Sequence, residues 1–167
     1  MKKIFFLLLI VAAFAACKKT IVQDKVYDNV IYDVGKTAIY QSASQKTRQK
    51  TATQFTSILY ADLFQQQIPS NELNDLSVLF LANGDKGMIN EMLVNNYMQS
   101  PNVKIPTNAA MRADVDKFID NTFIRFYLRN PTAYEKYYLK NLIQNDASIT
   151  PQLVYSSFVL GDEYWFY

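Results

Sequence analysis

The sequence predicts an all-α protein with about six helices, arranged as two three-helix repeats that pack into one compact bundle behind an extended N-terminal tether. From residue 55 onward, apolar residues recur at spacings of three and four, which is typical of amphipathic helices. Most of these segments begin after Ser, Thr or Asp and end before Gly or Pro. Half of the 167 residues are apolar and only 4 are Gly and 5 Pro, so we expect a filled core and mostly regular structure.

Three helices are predicted in the first repeat. The first stops before Pro69, because proline cannot continue a helix. The second follows Ser70 as its N-cap and ends near Gly84, and the third lies between Asp85 and Pro101. The inward side chains are expected to be Phe55, Ile58, Leu59 and Leu63 on the first helix, Leu73, Leu76, Leu79 and Phe80 on the second, and Met88, Ile89, Met92, Leu93 and Tyr97 on the third.

Three more helices are predicted after a loop at residues 100–108, which has two prolines and no periodicity. The fourth helix covers residues 109–128. Thr132 and Glu135 have the capping-box spacing that opens a fifth helix, and Thr150 followed by proline opens a sixth. The fourth helix should bury Met111, Val115, Phe118, Ile119, Phe123, Phe126 and Tyr127, and the fifth and sixth should end near Asn145 and Gly161.

Residues 55–100 and 118–164 read as two copies of one unit, since each has an aromatic helix that runs into a proline. Three short stretches carry a resemblance: Leu59-Tyr60, Leu128-Arg129-Asn130-Pro131 and Gly161-Asp162-Glu163-Tyr164. They resemble the helical repeats of phycobilisome linkers and related tandem bacterial surface-protein repeats, although both copies lack the glycine of the family's Leu-Gly-Arg-x-Pro turn. The resemblance implies scaffolding or assembly rather than catalysis. Two unrelated amphipathic hairpins are the alternative.

The N-terminal segment, residues 1–16, has the three parts of a secretory signal: Lys2 and Lys3, an apolar stretch, and small residues. That stretch is shorter than the roughly 20 residues of a permanent membrane span. Phe14-Ala15-Ala16-Cys17 resembles the lipobox of bacterial lipoproteins, which implies cleavage before Cys17 and lipid attachment to its sulfur. Lys18 then favours sorting to the outer membrane. An ordinary buried cysteine is the alternative.

The domain organisation that follows is a signal peptide at 1–16, a lipidated tether at 17–40 and an all-helical domain at 41–167. Residues 41–54 are almost wholly polar and belong either to the tether or to the first turns of a long helix. Tyr27 and Tyr32 in the tether are candidate partner contacts, because tyrosine is enriched at interfaces. So are the four aromatic residues that end the chain, Tyr164, Trp165, Phe166 and Tyr167; the alternatives are an arm and a tail packed on their own domain.

The composition argues against several kinds of functional site. The chain has no histidine and one cysteine, which removes the commonest general base and the cysteine-cluster zinc sites. Lys2 and Lys3 account for the net charge of +2, so nucleic-acid binding is not expected. Asp116 and Asp120 lie one helical turn apart and are candidate acid–base or metal residues, but acidic residues near a helix start usually face water. Arg125 and Arg129 either bind an anion or form internal salt bridges.

The sequence therefore predicts a non-catalytic, lipid-anchored accessory or scaffolding subunit of an outer-membrane complex for secretion, uptake or membrane assembly. Its body is expected on the periplasmic face, with membrane lipid and a protein as its partners. No cofactor or metal is expected beyond the covalent lipid on Cys17. A lipoprotein that binds a glycan or small ligand in an aromatic cleft between the repeats is the alternative, and an enzyme using Asp116 and Asp120 is a third.

Overall fold

The computed structural model of the protein describes residues 39–167, and this part of the chain is all-α, as predicted. It contains seven α-helices, two short 3₁₀ turns and no β-strand. The signal segment, Cys17 and almost all of the predicted tether lie outside the described residues. The helices are α1 (Ala52–Phe64), α2 (Ser70–Ala82), α3 (Lys86–Met98), α4 (Asn108–Ala113), α5 (Val115–Tyr127), α6 (Ala133–Asn145) and α7 (Pro151–Leu160), and the 3₁₀ turns are Ala43–Gln45 and Asp162–Trp165.

Side-chain caps fix the starts of most helices. Thr51 and Gln54 form a capping box at α1, and Thr132 and Glu135 form the predicted one at α6. In each box the threonine oxygen accepts from one free amide while the longer side chain accepts from another. Asp85 caps α3 in the same way with its carboxylate. At α2, however, the residue before the helix is Pro69, and Ser70 is already its first residue.

The predicted fourth helix is two helices, which corrects the sequence interpretation. Asp114 leaves the helical conformation with φ −147° and ψ 80°, and its side chain accepts a hydrogen bond from the backbone amide of Lys117 at 3.0 Å. The aspartate thus caps α5 and separates it from the six-residue α4. An aspartate that stands among apolar residues at helical spacing can continue the helix or cap a new one. The spacing alone does not distinguish the two cases.

Corresponding helices of the two repeats end in the same way. Gln65 ends α1 with φ 57° and Leu128 ends α5 with φ 52°, and these are the non-glycine residues with positive φ among residues 39–167. Each donates its backbone N–H to the carbonyl four residues earlier, Ala61 or Ile124. The left-handed residue reverses the chain toward the following proline.

The packing of the helices also follows two repeats. In the first, α1 packs against α2 and more lightly against α3; in the second, α5 packs against α6 and more lightly against α7. The contact of α3 with α7 joins the repeats. The core is rich in aromatic residues and includes the fully buried Phe55, Leu59, Leu63, Met111, Ile143, Val159 and Tyr164.

Three residues predicted to point inward are exposed instead. Leu79 is 41% exposed, Met88 53% and Met92 58%. Because α2 packs chiefly on α1 and α3 chiefly on α7, each of these helices buries a narrower face than its apolar residues would cover. The helices of residues 39–167 include none with the length and apolar character needed to cross a membrane.

The polar residues 41–54 divide into two parts, since residues 52–54 form the first turn of α1. Residues 40–50, here called the arm, are neither a free tether nor part of that helix, and they pair through their backbone with the C-terminal residues. Arg48 and Tyr167 exchange two backbone hydrogen bonds of 3.1 and 2.9 Å, and the Lys50 amide donates to the Trp165 carbonyl at 2.8 Å. At the other end of the arm, the Tyr40 amide donates to the Leu128 carbonyl at 2.7 Å. The arm therefore ties the C-terminal tail to the end of α5.

Candidate functional site

A buried polar cluster lies where the arm, α1 and the tail meet. The hydroxyl of Tyr164, which is completely buried, donates to the Asp62 carboxylate at 2.7 Å. The Lys50 ammonium donates to the Tyr164 carbonyl and lies 4.1 Å from the centre of the Tyr164 ring. Each of these polar groups thus has a partner inside the protein, as burial requires.

Burial shifts the pKa values of this cluster toward the neutral forms. It raises the pKa of Asp62 from 3.8 to about 6, against the opposing effect of the Tyr164 hydrogen bond. It lowers the pKa of Lys50 from 10.5 to about 8, against the attraction of Asp62. The pKa of the Tyr164 phenol is raised well above its usual value, first by burial and then by the Asp62 charge. Such shifts occur in active sites and also in structural networks.

Arg125 shows that this network is used to hold helices together. It extends from α5 and donates Nε to the backbone carbonyl of Asp62 at 2.6 Å, with Nη2 on the same oxygen. Its Nη1 donates to the Lys104 carbonyl at 3.0 Å and to the Tyr155 hydroxyl at 3.2 Å. These bonds satisfy a carbonyl in the last turn of α1 that has no partner within that helix. Arg125 therefore binds backbone carbonyls and the Tyr155 hydroxyl, and forms neither the anion site nor the internal salt bridge considered from the sequence.

Arg129 binds two carboxylates at once. Its guanidinium, 3% exposed, makes two hydrogen bonds of 2.8 and 2.7 Å to Glu163 and two of 2.9 and 2.7 Å to Glu135. The Lys46 ammonium lies 3.0 Å from Glu163. Of the two alternatives considered for Arg129, the internal salt bridge is thus present, with Glu135 and Glu163 as its carboxylates and Lys46 beside Glu163.

The carboxylates of this second network are held ionised. Hydrogen bonds from Arg129 lower the pKa of Glu135 to about 2, although burial opposes them. For Glu163, burial raises the pKa, but the hydrogen bonds from Arg129 and Lys46 together outweigh it and the pKa falls below its usual value. Because these carboxylates stay charged at neutral pH, the network stabilises the contact between the start of α6 and the tail.

The paired carboxylates predicted on the fourth helix lie on α5, where each contacts a lysine of α6. Lys136 donates to Asp120 at 2.7 and 2.8 Å, and Lys140 donates to Asp116 at 2.5 Å. The hydrogen bond from Lys140 lowers the pKa of Asp116. The lowered pKa of Asp116 suits a permanent anion rather than a group that exchanges protons near neutral pH. The arrangement links two helices at their surface.

The four C-terminal aromatic residues have different surroundings. Tyr164 is completely buried, whereas Trp165, Phe166 and Tyr167 are half-buried. The Trp165 ring stacks on Phe55 with centroids 4.1 Å apart and planes 11° apart. The tail thus packs on its own domain through one side and leaves part of three aromatic side chains at the surface. Cys17, Tyr27 and Tyr32, the other candidate residues, lie outside the described residues.

A shallow cavity of about 580 Å³, open to solvent, lies at the surface between α3 and this tail. Its lining includes Lys86 and Asn90 of α3, Gln49 of the arm, and Asp162, Trp165 and Phe166 of the tail. A larger groove of about 790 Å³ runs between α1, α4 and α5, and its aromatic lining residues are Phe118 and Tyr155. The smaller cavity is the one that combines tryptophan with polar side chains.

Asn90 is a feature of this cavity that the sequence interpretation missed. It is 4% exposed, and its Oδ1 has no hydrogen-bond partner among the described residues. A signal was present, because Asn90 precedes Leu93, Val94 and Tyr97 at the spacing of the buried face of α3. A polar residue within an apolar stripe needs a partner, and that requirement makes it a candidate functional residue.

Two exposed apolar faces were also missed. One combines the end of α2 with the start of α3, and the other lies on α6, where Tyr134 and Tyr138 stack with centroids 6.4 Å apart. The exposed side chains are Val78 (64%), Leu79 (41%), Leu81 (87%), Met88 (53%) and Met92 (58%) on the α2–α3 face, and Tyr134 (75%), Tyr137 (67%), Tyr138 (57%) and Leu142 (37%) on the α6 face. Of these side chains, the sequence interpretation assigned Leu79, Met88 and Met92 to the core and made no assignment for the others.

Comparison with known proteins gives this chain no relative. No protein-family model, curated protein or solved structure matches it.

Proposed function

We propose that the protein is a lipid-anchored, non-catalytic accessory or scaffolding subunit of a bacterial outer-membrane complex, with its body on the periplasmic side. The anchor part of the proposal rests on the lipobox-like stretch that ends at Cys17. Several acyl chains, at roughly 0.8 kcal/mol for each buried methylene, would hold such a protein firmly on a membrane. The subunit part rests on the surface of the helical domain.

The observation that carries the subunit role is the exposure of large apolar side chains on two helix faces. Tyr134 is 75% exposed and stacks on Tyr138, which is 57% exposed, and on α2 Leu81 is 87% exposed three residues after the exposed Val78. Large contiguous apolar patches are rare on proteins that remain monomeric and are typical of interaction sites. Exposed tyrosines and methionines are common contact residues at protein interfaces. We therefore propose a protein partner with complementary apolar surface.

The charged side chains at the candidate sites bind other groups of the same domain, which is consistent with a scaffold. Arg125 binds backbone carbonyls, Arg129 binds Glu135 and Glu163, and the lysines of α6 neutralise the carboxylates of α5. These groups therefore position helices and hold the tail. The composition points the same way, since the chain contains no histidine and only one cysteine.

The resemblance to phycobilisome-linker repeats supports the same proposal. In the second repeat, Arg129 belongs to the turn stretch and Glu163 to the closing stretch, and the two side chains form a bidentate pair. The left-handed Leu128 immediately precedes that arginine, where the family's turn has its glycine. The matching residues thus act together as one structural unit.

The anchor is tested by Cys17→Ser in the full-length protein. We expect an uncleaved or soluble precursor, because the sulfur that receives the lipid is absent. Metabolic labelling with a fatty acid and fractionation of membranes provide the measurement. Normal processing and unchanged membrane attachment of the variant would show that the anchor assignment is wrong.

The subunit role is tested by placing a photo-crosslinking amino acid at Leu81 or Tyr138 of the intact lipoprotein in cells. We expect a discrete crosslinked species with a stoichiometric membrane companion. Gln152, an exposed polar residue on α7, is the matched control and should give none. Met92→Lys or Tyr138→Ser should then remove the companion after gentle solubilisation. Recovery of an uncrosslinked monomer at every position would contradict the proposal.

A further inference from the structure

The 580 Å³ cavity between α3 and the tail has the features of a ligand site. Its volume lies within the range of roughly 300–1,000 Å³ that small-molecule sites occupy. Its lining comes from three separate parts of the chain: the arm, the start of α3 and the residues after α7. Because the arm and the tail are tied by backbone hydrogen bonds, this lining is fixed before any ligand arrives. A preformed site loses less entropy on binding.

Trp165 provides a flat apolar wall in this cavity. Its ring is stacked on the buried Phe55, which fixes the plane of the indole. The ring is nevertheless only half-buried and borders the cavity. A large aromatic ring with one supported face and accessible surface suits a flat, weakly polar ligand face, such as the C–H face of a sugar ring.

The polar groups around Trp165 are donors and acceptors of hydrogen bonds with balanced charge. Gln49 and Asn90 carry amides, and the single positive charge of Lys86 is matched by the single negative charge of Asp162. This lining gives no preference for an anion or a cation. It favours a neutral ligand whose hydroxyl groups both donate and accept.

Asn90 contributes to the lining of this cavity, but its carbonyl oxygen does not face a ligand there. The residue is 4% exposed, and its Oδ1 is buried with no hydrogen-bond partner in the described part of the chain. The lining side chains that can hydrogen-bond a ligand are therefore the exposed Gln49, Lys86 and Asp162.

We propose that this cavity binds a neutral oligosaccharide, with a sugar ring against Trp165 and hydroxyl groups that hydrogen-bond to Gln49 and Asp162. This proposal goes beyond the subunit role, because its ligand is a glycan and not a protein, although the cavity and the α2–α3 face both use the start of α3. A scaffold protein with this site would attach its complex to a glycan.

The test uses the full-length lipoprotein in detergent, and Trp165 is its only tryptophan. The probes are four neutral hexasaccharides: maltohexaose, cellohexaose, xylohexaose and laminarihexaose. We expect at least one to change the tryptophan emission saturably, to protect the ring from acrylamide quenching, and to give a matching affinity by calorimetry. No saturable signal with any of the four up to its solubility limit would overturn the proposal.

Two variants locate the site, each with a matched control. Trp165→Phe keeps a ring over Phe55 but reduces the wall, and calorimetry should show about tenfold weaker binding. Gln49→Ala should weaken binding to a similar extent, because it removes an amide that hydrogen-bonds the ligand. Tyr60→Phe on α1 and Gln152→Ala on α7, which do not line the cavity, should bind like the wild type. Wild-type affinity in both cavity variants would overturn the proposal, even if a hexasaccharide binds.

Discussion

Three arginines illustrate how single residues hold this protein together. Arg112 donates to the carbonyls of Ile143, Asp146 and Ile149 at 2.5, 3.0 and 3.0 Å, around the end of α6. Arg125 does the same at the end of α1. Carbonyls at a helix end lack partners and carry the negative end of the helix dipole, so a guanidinium satisfies both their geometry and their charge. Arg129 differs because its partners are carboxylates.

The Arg129 network predicts a large loss of stability for Arg129→Met. The change removes the cation between Glu135 and Glu163 and leaves both carboxylates without their main partner. Breaking one side of a buried ion pair typically costs about 3–5 kcal/mol, and we expect the free energy of unfolding, measured with urea, to fall by that order. Arg129→Lys should recover only part of it, because lysine cannot bind two carboxylates bidentately.

The matched control for that prediction is Lys140→Met, which breaks the ion pair with Asp116 at the surface. The two side chains are 38% and 46% exposed, so solvent screens the pair and we expect a much smaller change. Equal losses for Arg129→Met and Lys140→Met would show that burial of the Arg129 network does not contribute.

Asp62 predicts a specific pH dependence. Its folded-state pKa of about 6 lies above the ordinary 3.8, so the folded protein binds this proton more tightly than the unfolded chain. The stability that this proton contributes is therefore fully present below pH 3.8 and is lost as the pH rises through 6. Asp62→Asn keeps an acceptor for Tyr164 but carries no charge. Urea unfolding from about pH 4 to about pH 7 should show the variant gaining stability relative to the wild type.

Lys50 has a folded-state pKa of about 8 in the wild type, and loss of the Asp62 charge lowers it further in the variant, so the comparison is read below about pH 6, where Lys50 is charged in both proteins. Every other carboxylate is the same in the variant and the wild type. The contributions of these groups to the pH dependence therefore cancel in the difference between the two free energies of unfolding. A difference in stability between variant and wild type that stays constant with pH would contradict the raised pKa of Asp62.

At the scale of helices, local signals in the sequence predict the elements well. The capping box of Thr132 and Glu135 and the Thr150-Pro151 start were both identified, because caps depend on neighbours in sequence. The break at Asp114 was not, since it depends on how α5 packs. Exposure of Met88 and Met92 was not predictable either, because periodicity describes one helix and cannot say which neighbour covers it.

The left-handed ends of α1 and α5 give a prediction at this scale. Gln65 is exposed and has φ 57°, a conformation that costs a side-chain-bearing residue roughly 1–2 kcal/mol and glycine almost nothing. We expect Gln65→Gly to raise the free energy of unfolding by about 1 kcal/mol, measured with urea. Gln66→Gly, one residue further, is the matched control and should lower it slightly, because Gln66 does not have a positive φ. The reverse order would contradict this explanation.

At the scale of the whole domain, the two ends of the described chain close the structure together. Lys50 and Tyr164, which are 114 residues apart, interact through a buried hydrogen bond, and Lys46 reaches Glu163. Contacts of such sequence separation leave no local pattern, so the candidate site could not be assembled from the sequence. The sequence did single out the aromatic tail, although not the arm that holds it.

This closure predicts the effect of removing the arm. A chain that begins at Thr51 loses the backbone pairing with Trp165 and Tyr167 and both buried lysines, whereas a chain that begins at Ile39 keeps them. We expect the shorter chain to unfold at lower urea concentration. Its single tryptophan should also be quenched more strongly by acrylamide, because the tail that carries it is no longer tied down. Identical unfolding and quenching in the two chains would mean that the tail is held by Phe55 and Arg129 alone.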